Sequence, residues 1–111
     1  MNRDRVYLLH IQEALARVAE YTAGGRQEFL DKPLVQDAVI RQLEIVGEAV
    51  KNLSAELRDT NKELPWKQIA GMRDKLIHEY FGVDLKLVWN VVELHLPALG
   101  GKVDELLTSG K

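Results

Sequence analysis

The chain has 111 residues, 46% of them apolar and 29% charged, a composition that fits one globular domain and excludes a disordered chain. Fifteen Lys and Arg against 17 Asp and Glu give a net charge of −2, so phosphate binding would need a local basic patch. The lack of cysteine excludes disulfides, a thiolate zinc site and a cysteine nucleophile, and suits a reducing, cytoplasmic setting.

The opening Met-Asn-Arg-Asp-Arg is charged and leads into no apolar run, so no signal peptide is expected. No stretch reaches the roughly 18 apolar residues of a membrane span. The first helix is predicted from about Arg3 to Tyr21, where Tyr7, Ile11, Ala14, Val18 and Tyr21 fall on one face before Gly24-Gly25 stops it. Asp31 reads as the N-cap of a second, long helix with Pro33 in its first turn, running to about Arg58. Its apolar stripe is Val35, Val39, Leu43, Val46, Val50, Leu53 and Leu57. Asp37, Arg41, Glu44, Glu48 and Lys51 form its solvated face.

A polar loop, Asp59 to Glu63, leads to Pro65, which opens a third helix with Ile69, Met72 and Leu76 turned inward and an end near Tyr80. Trp66 at its start reads as a lid on the core. Gly82 suits a C-terminal stop and Asp84 the next N-cap. The fourth helix spans Leu85 to about Leu96, and Pro97 is expected to kink or end it, with a short helix, Lys102 to Leu107, after Gly100-Gly101. No stretch alternates with period two, so residues 1–111 read as a single all-α domain, an up-down bundle of four to five helices.

The fourth helix is apolar nearly all round: Leu85, Leu87, Val88, Trp89, Val91, Val92, Leu94 and Leu96 leave only Lys86, Asn90 and Glu93 as a polar stripe. Such a helix is buried on more than one side, which points to a second copy and a two-fold dimer. His95 follows Val88 and Val92 at four-three spacing and reads as a packed edge residue, whereas His10 reads as solvated. No helix carries the Glu-x-x-His pairs of a di-metal bundle, so no metal or cofactor is expected.

The stretch that carries chemistry is Arg73-Asp74-Lys75-Leu76-Ile77-His78-Glu79-Tyr80. Arginine offers a planar fork of donors to phosphate, and histidine can take a proton from a ribose 2′-OH or give one to a leaving oxygen. Asp74 lies one turn before His78 on the same face, placed to orient its ring. Arg73 and His78 are about 140° apart on an ideal helix, so they meet at one phosphate if the helix loosens, the long Arg wraps, or two copies come together. Lys67 and Lys75 supply a modest basic rim for RNA. Two readings remain open on these residues: a ribonuclease that uses the proton chemistry of His78, and a non-catalytic helical module that presents a nucleotide or target to a small nucleotidyltransferase.

From Leu64-Pro65-Trp66 through Asp84, and on to Val88-Trp89, the sequence resembles the HepT-like HEPN family. The family's mark is Arg, four to six residues, His, one residue, Tyr; here Arg73, His78 and Tyr80. The resemblance implies an all-α homodimer with both motifs at a shared cleft, cleaving RNA without a metal, as the toxin of a type VII HepT/MntA toxin–antitoxin pair. It also implies a partner, an MntA-like nucleotidyltransferase that silences the toxin by AMPylating Tyr80. Broader members often carry Asn after the Arg, where this chain has Asp74.

Overall fold

The computed structural model describes residues 2–78 and 84–108, and the described residues are helical and contain no strand. The elements are α1 (Asn2–Tyr21), α2 (Arg26–Asp31), α3 (Pro33–Lys51), α4 (Ala55–Asp59), α5 (Trp66–His78), α6 (Leu85–Asn90), a π turn (Val91–His95) and α7 (Leu96–Thr108). No described helix is long and apolar enough to cross a membrane.

The expected stripe of α1 is the inner one: Ile11, Ala14 and Val18 are buried, with Leu8 beside them. After α1 the chain turns at Gly25, whose φ of 92° is open to glycine at little cost. A short helix not anticipated from the sequence, α2, then drives Phe29 fully into the core. Asp31 is therefore the last residue of α2 and not a cap. Pro33 disfavours helical geometry in the residue before it, and Lys32 is extended, separating α2 from α3. The Gln36 side chain bridges this break by donating to the carbonyls of Phe29 and Leu30 at 3.0 and 3.1 Å.

Helix α3 is the centre of the bundle, packed on α1 at one side and α5 at the other. Val39, Leu43, Val46 and Val50 are buried as expected, and so are Ile40, Gln42 and Ala49, because two neighbours cover more than one face. The predicted continuation to Arg58 does not occur. Helix α3 stops at Lys51, and Ser54 starts α4 by accepting the Leu57 N–H at 3.1 Å. Asp4, reaching over from α1 and only 6% exposed, accepts both the Ser54 N–H (2.8 Å) and its hydroxyl (2.6 Å). A local polar clasp thus outcompetes helix continuation.

The fourth segment also differs from expectation. Asp84 caps α6 as predicted, accepting from the amides of Lys86 and Leu87. The helix then runs through Pro97 and through Gly100-Gly101 without a break, so the terminal helix is the end of α7. Continuity comes from the π turn, in which the Leu96 N–H reaches back five residues to the Val91 carbonyl. The wider turn gives the proline ring room where an α-turn would press it on the carbonyl four residues back. The extra residue rotates the remainder of the helix by about 100°. That shift turns Leu96, Leu99 and Val103 away from the sector they would share with Val88 and Trp89 on a uniform helix, so the segment before the turn buries its apolar residues against α2 and the segment after it against α1. Helix α7 packs along α1, tied by Gln12 to Asp104 at 2.8 Å.

Candidate functional site

Helix α5 begins where Pro65 cannot donate and Trp66 is locked down. Its ring is buried, and its indole N–H donates to the Asn61 carbonyl at 2.8 Å, so Trp66 is the core lid the sequence suggested. Ile69 and Met72 pack on the core. Because α5 rests mainly on α3, while α6 and the π turn lie nearer α2 and α7, the bundle does not close between them. The seam is an open groove of about 770 Å³, floored by Leu43 and Leu99, with Met72 on one wall and Val91 on the other. Leu87 and Leu94 on its lip are 53% and 64% exposed. Burial of the fourth helix is thus one-sided in a single chain.

The predicted site residues fall unevenly about this groove. Lys75 lines it, whereas Lys67 is exposed on α5 away from the lining. Asp74 is half-exposed, with the Lys51 ammonium 4.0 Å from its carboxylate. Lys51, which the sequence placed among solvated residues of the preceding helix, thereby joins the motif's surroundings. No sequence spacing reports such a pairing between two helices. Arg73, Leu76 and His78 lie in α5, but their side chains, like all of Tyr80 and Gly82, are outside the described part of the structure.

His95 corrects the reading from spacing. On an unbroken α-helix it would follow Val88 and Val92 to the packed edge. The π turn moves it off that line, and it is exposed in the groove. His10 is solvated as expected, its ring edge-on to Tyr7 at 5.9 Å beside a small cavity of about 220 Å³.

Two acids also line the groove, and both are engaged elsewhere. Glu63 pairs with the Lys102 ammonium, which is shared with Glu105 at 3.2 Å. The hydrogen bond from Lys102 holds the Glu63 carboxyl below its ordinary value, and the same pair raises the lysine. This pair fastens the start of α5 to α7 at one end of the groove. Asp84 spends its carboxylate on α6 amides. Among the described residues the arrangement offers a long apolar floor and a cation, Lys75, on the wall that carries the Arg–His motif.

A family model described as ribonuclease HepT-like matches residues 11–106. A protein of Caldanaerobacter subterraneus subsp. tengcongensis, named "Putative RNase TTE0752", is 44% identical over 112 residues, covering all of both chains. The "Probable ribonuclease HepT" of Thermococcus cleftensis is 45% identical over 101 residues, covering 90% of this chain and 92% of its own. No solved structure matches.

Proposed function

The chain belongs to the HepT-like ribonuclease family and is an RNA-cleaving enzyme, and from this premise we propose that it is a metal-independent endoribonuclease acting as the toxin of a HepT/MntA-type pair. The observation that carries the reading is the position of α5, whose motif helix forms one wall of the open groove and places Lys75 in it. Arg73 grips the phosphate through two parallel donors. The ribose 2′-oxygen attacks the phosphorus in line as its proton passes to a base. The bond to the 5′-oxygen breaks as an acid protonates the leaving group. The products are a 2′,3′-cyclic phosphate and a 5′-hydroxyl. His78 supplies one of these two proton transfers, and the second copy's motif supplies the other across a shared cleft.

Support for the dimer comes from the groove's lip. Leu87 and Leu94, both more than half exposed, form an apolar edge that a two-fold partner would cover. An MntA-like nucleotidyltransferase attaches AMP to Tyr80, and the added phosphate competes for Arg73 with the substrate phosphate. The direct test is RNA cleavage in excess EDTA by wild type and His78→Ala. Loss of about a hundredfold or more in the variant, with unchanged helicity, supports acid–base chemistry at His78. Cleavage that stops in EDTA and returns with a divalent cation refutes the metal-free mechanism.

A further inference from the structure

The π turn has a consequence beyond accommodating Pro97. Widened turns of this kind cluster at functional sites, and this one takes a histidine from the packed line and sets it in an apolar groove. His95 is the one aromatic ring among the groove's described lining. Gln68, from α5, brings an amide able to donate and accept, and Lys75 brings a cation. Among the described residues neither the Gln68 amide, the His95 ring nor the Lys75 ammonium has a hydrogen bond or ion pair, whereas the lining acids Glu63 and Asp84 are both engaged.

An apolar cavity with a few unpartnered polar groups is the usual form of a small-ligand site. This one combines a stacking ring, a group that can read a hydrogen-bonding edge, and a positive charge for phosphate. We propose that the groove is a pocket for one unpaired nucleotide of the RNA, its base stacked on His95 among aliphatic side chains, its edge met by Gln68 and its phosphate by Lys75. Single-stranded RNA is recognised in this manner, through splayed bases laid on aromatic rings and hydrogen-bonded at their edges. The site would then select the strand by base, a task that the Arg–His pair, which addresses the sugar–phosphate backbone, does not perform. The inference rests on the reading of the groove as the RNA site.

The test uses the full chain and short, uncleavable 2′-O-methyl oligonucleotides, each of a single base, with binding read by fluorescence anisotropy. Wild type should prefer one base. His95→Ala should weaken that oligonucleotide by about tenfold, the scale of one lost stacking contact, and His95→Phe should restore it to within about threefold. Gln68→Leu should flatten the preference among bases. Equal binding by wild type and His95→Ala, or Phe behaving as Ala does, overturns the pocket while leaving the ribonuclease reading intact. Wild type that neither binds these oligonucleotides nor cleaves RNA overturns both. Should His95→Ala instead convert a dimer to a monomer on light scattering, the groove belongs to a second copy and the proposal fails.

Discussion

Removing the Asp4 carboxylate should unfasten α1 from the α3–α4 corner. The carboxylate accepts the Ser54 N–H at 2.8 Å and the Ser54 hydroxyl at 2.6 Å while nearly enclosed. Hydrogen bonds to a charged group contribute about 1.5–3 kcal/mol each, and the orphaned amide adds a desolvation cost. The Ser54 hydroxyl keeps the Leu57 N–H, which lowers the loss. Asp4→Ala should therefore cost about 3 kcal/mol. For a domain of this length that is a fall of about 13 °C in Tm. Asp4→Asn keeps an acceptor for the amide and should lose about half as much. Ser54→Ala should lose both its bond to Asp4 and the cap of α4, and in combination with Asp4→Ala the two effects should fall well short of additive. Thermal unfolding followed by circular dichroism reads each of these proteins. An Asp4→Ala variant melting within about 2 °C of wild type would refute this account of why α3 ends at Lys51.

Leu94→Asp places a charge on the groove's lip and should shift light scattering at micromolar concentration from twice the chain mass to one, with helicity kept. Glu63 has its folded pKa lowered by Lys102, so the pair's contribution is present above the ordinary value of 4.5 and is lost as pH falls through the lowered folded value. Lys102, raised from 10.5, contributes below that value and loses its contribution as pH rises through the raised one. The stability gap between wild type and Lys102→Met, followed by thermal melts across pH, should thus be level from about pH 5.5 to 9.5 and close at both the acid and the alkaline end. Incubation with the partner nucleotidyltransferase and ATP should add AMP mass at Tyr80 and abolish cleavage. Mass mapping of Tyr80→Phe should show no adduct, and the variant should stay uninhibited.

The long periodic segments were legible. The inner face of α1, the stripe of α3, the Pro65–Trp66 start of α5 and the Asp84 cap all follow from spacing and residue chemistry. What failed was local competition. Ser54 is ordinary in sequence until a carboxylate fifty residues away turns it into a corner. Lys32 breaks a helix through the proline after it, which also reads as a helix start, and the two cases look alike until Phe29 is seen in the core. At the candidate site the Arg–His–Tyr motif was visible as a pattern. The Lys51 ammonium beside Asp74 was not, because contact between helices leaves no trace in the spacing of either one.

The widened turn between α6 and α7 works as a phase correction between two anchorages. The segment before it is docked through Trp89, whose ring lies 5.5 Å from that of Phe29, and the segment after it through Leu99 and Val103. On a uniform helix both sets would share one sector of about 100°, and that single face could not address two neighbours in different directions, α2 before the turn and α1 after it. The length of this stretch is therefore constrained more tightly than its composition. A conservative exchange among Val91, Val92 and Leu94 perturbs packing at one place, but losing or gaining a single residue there would turn all of α7 against α1. Insertions and deletions, tolerated at the surface turns, should be rejected in this one helical span even though most of its side chains face water.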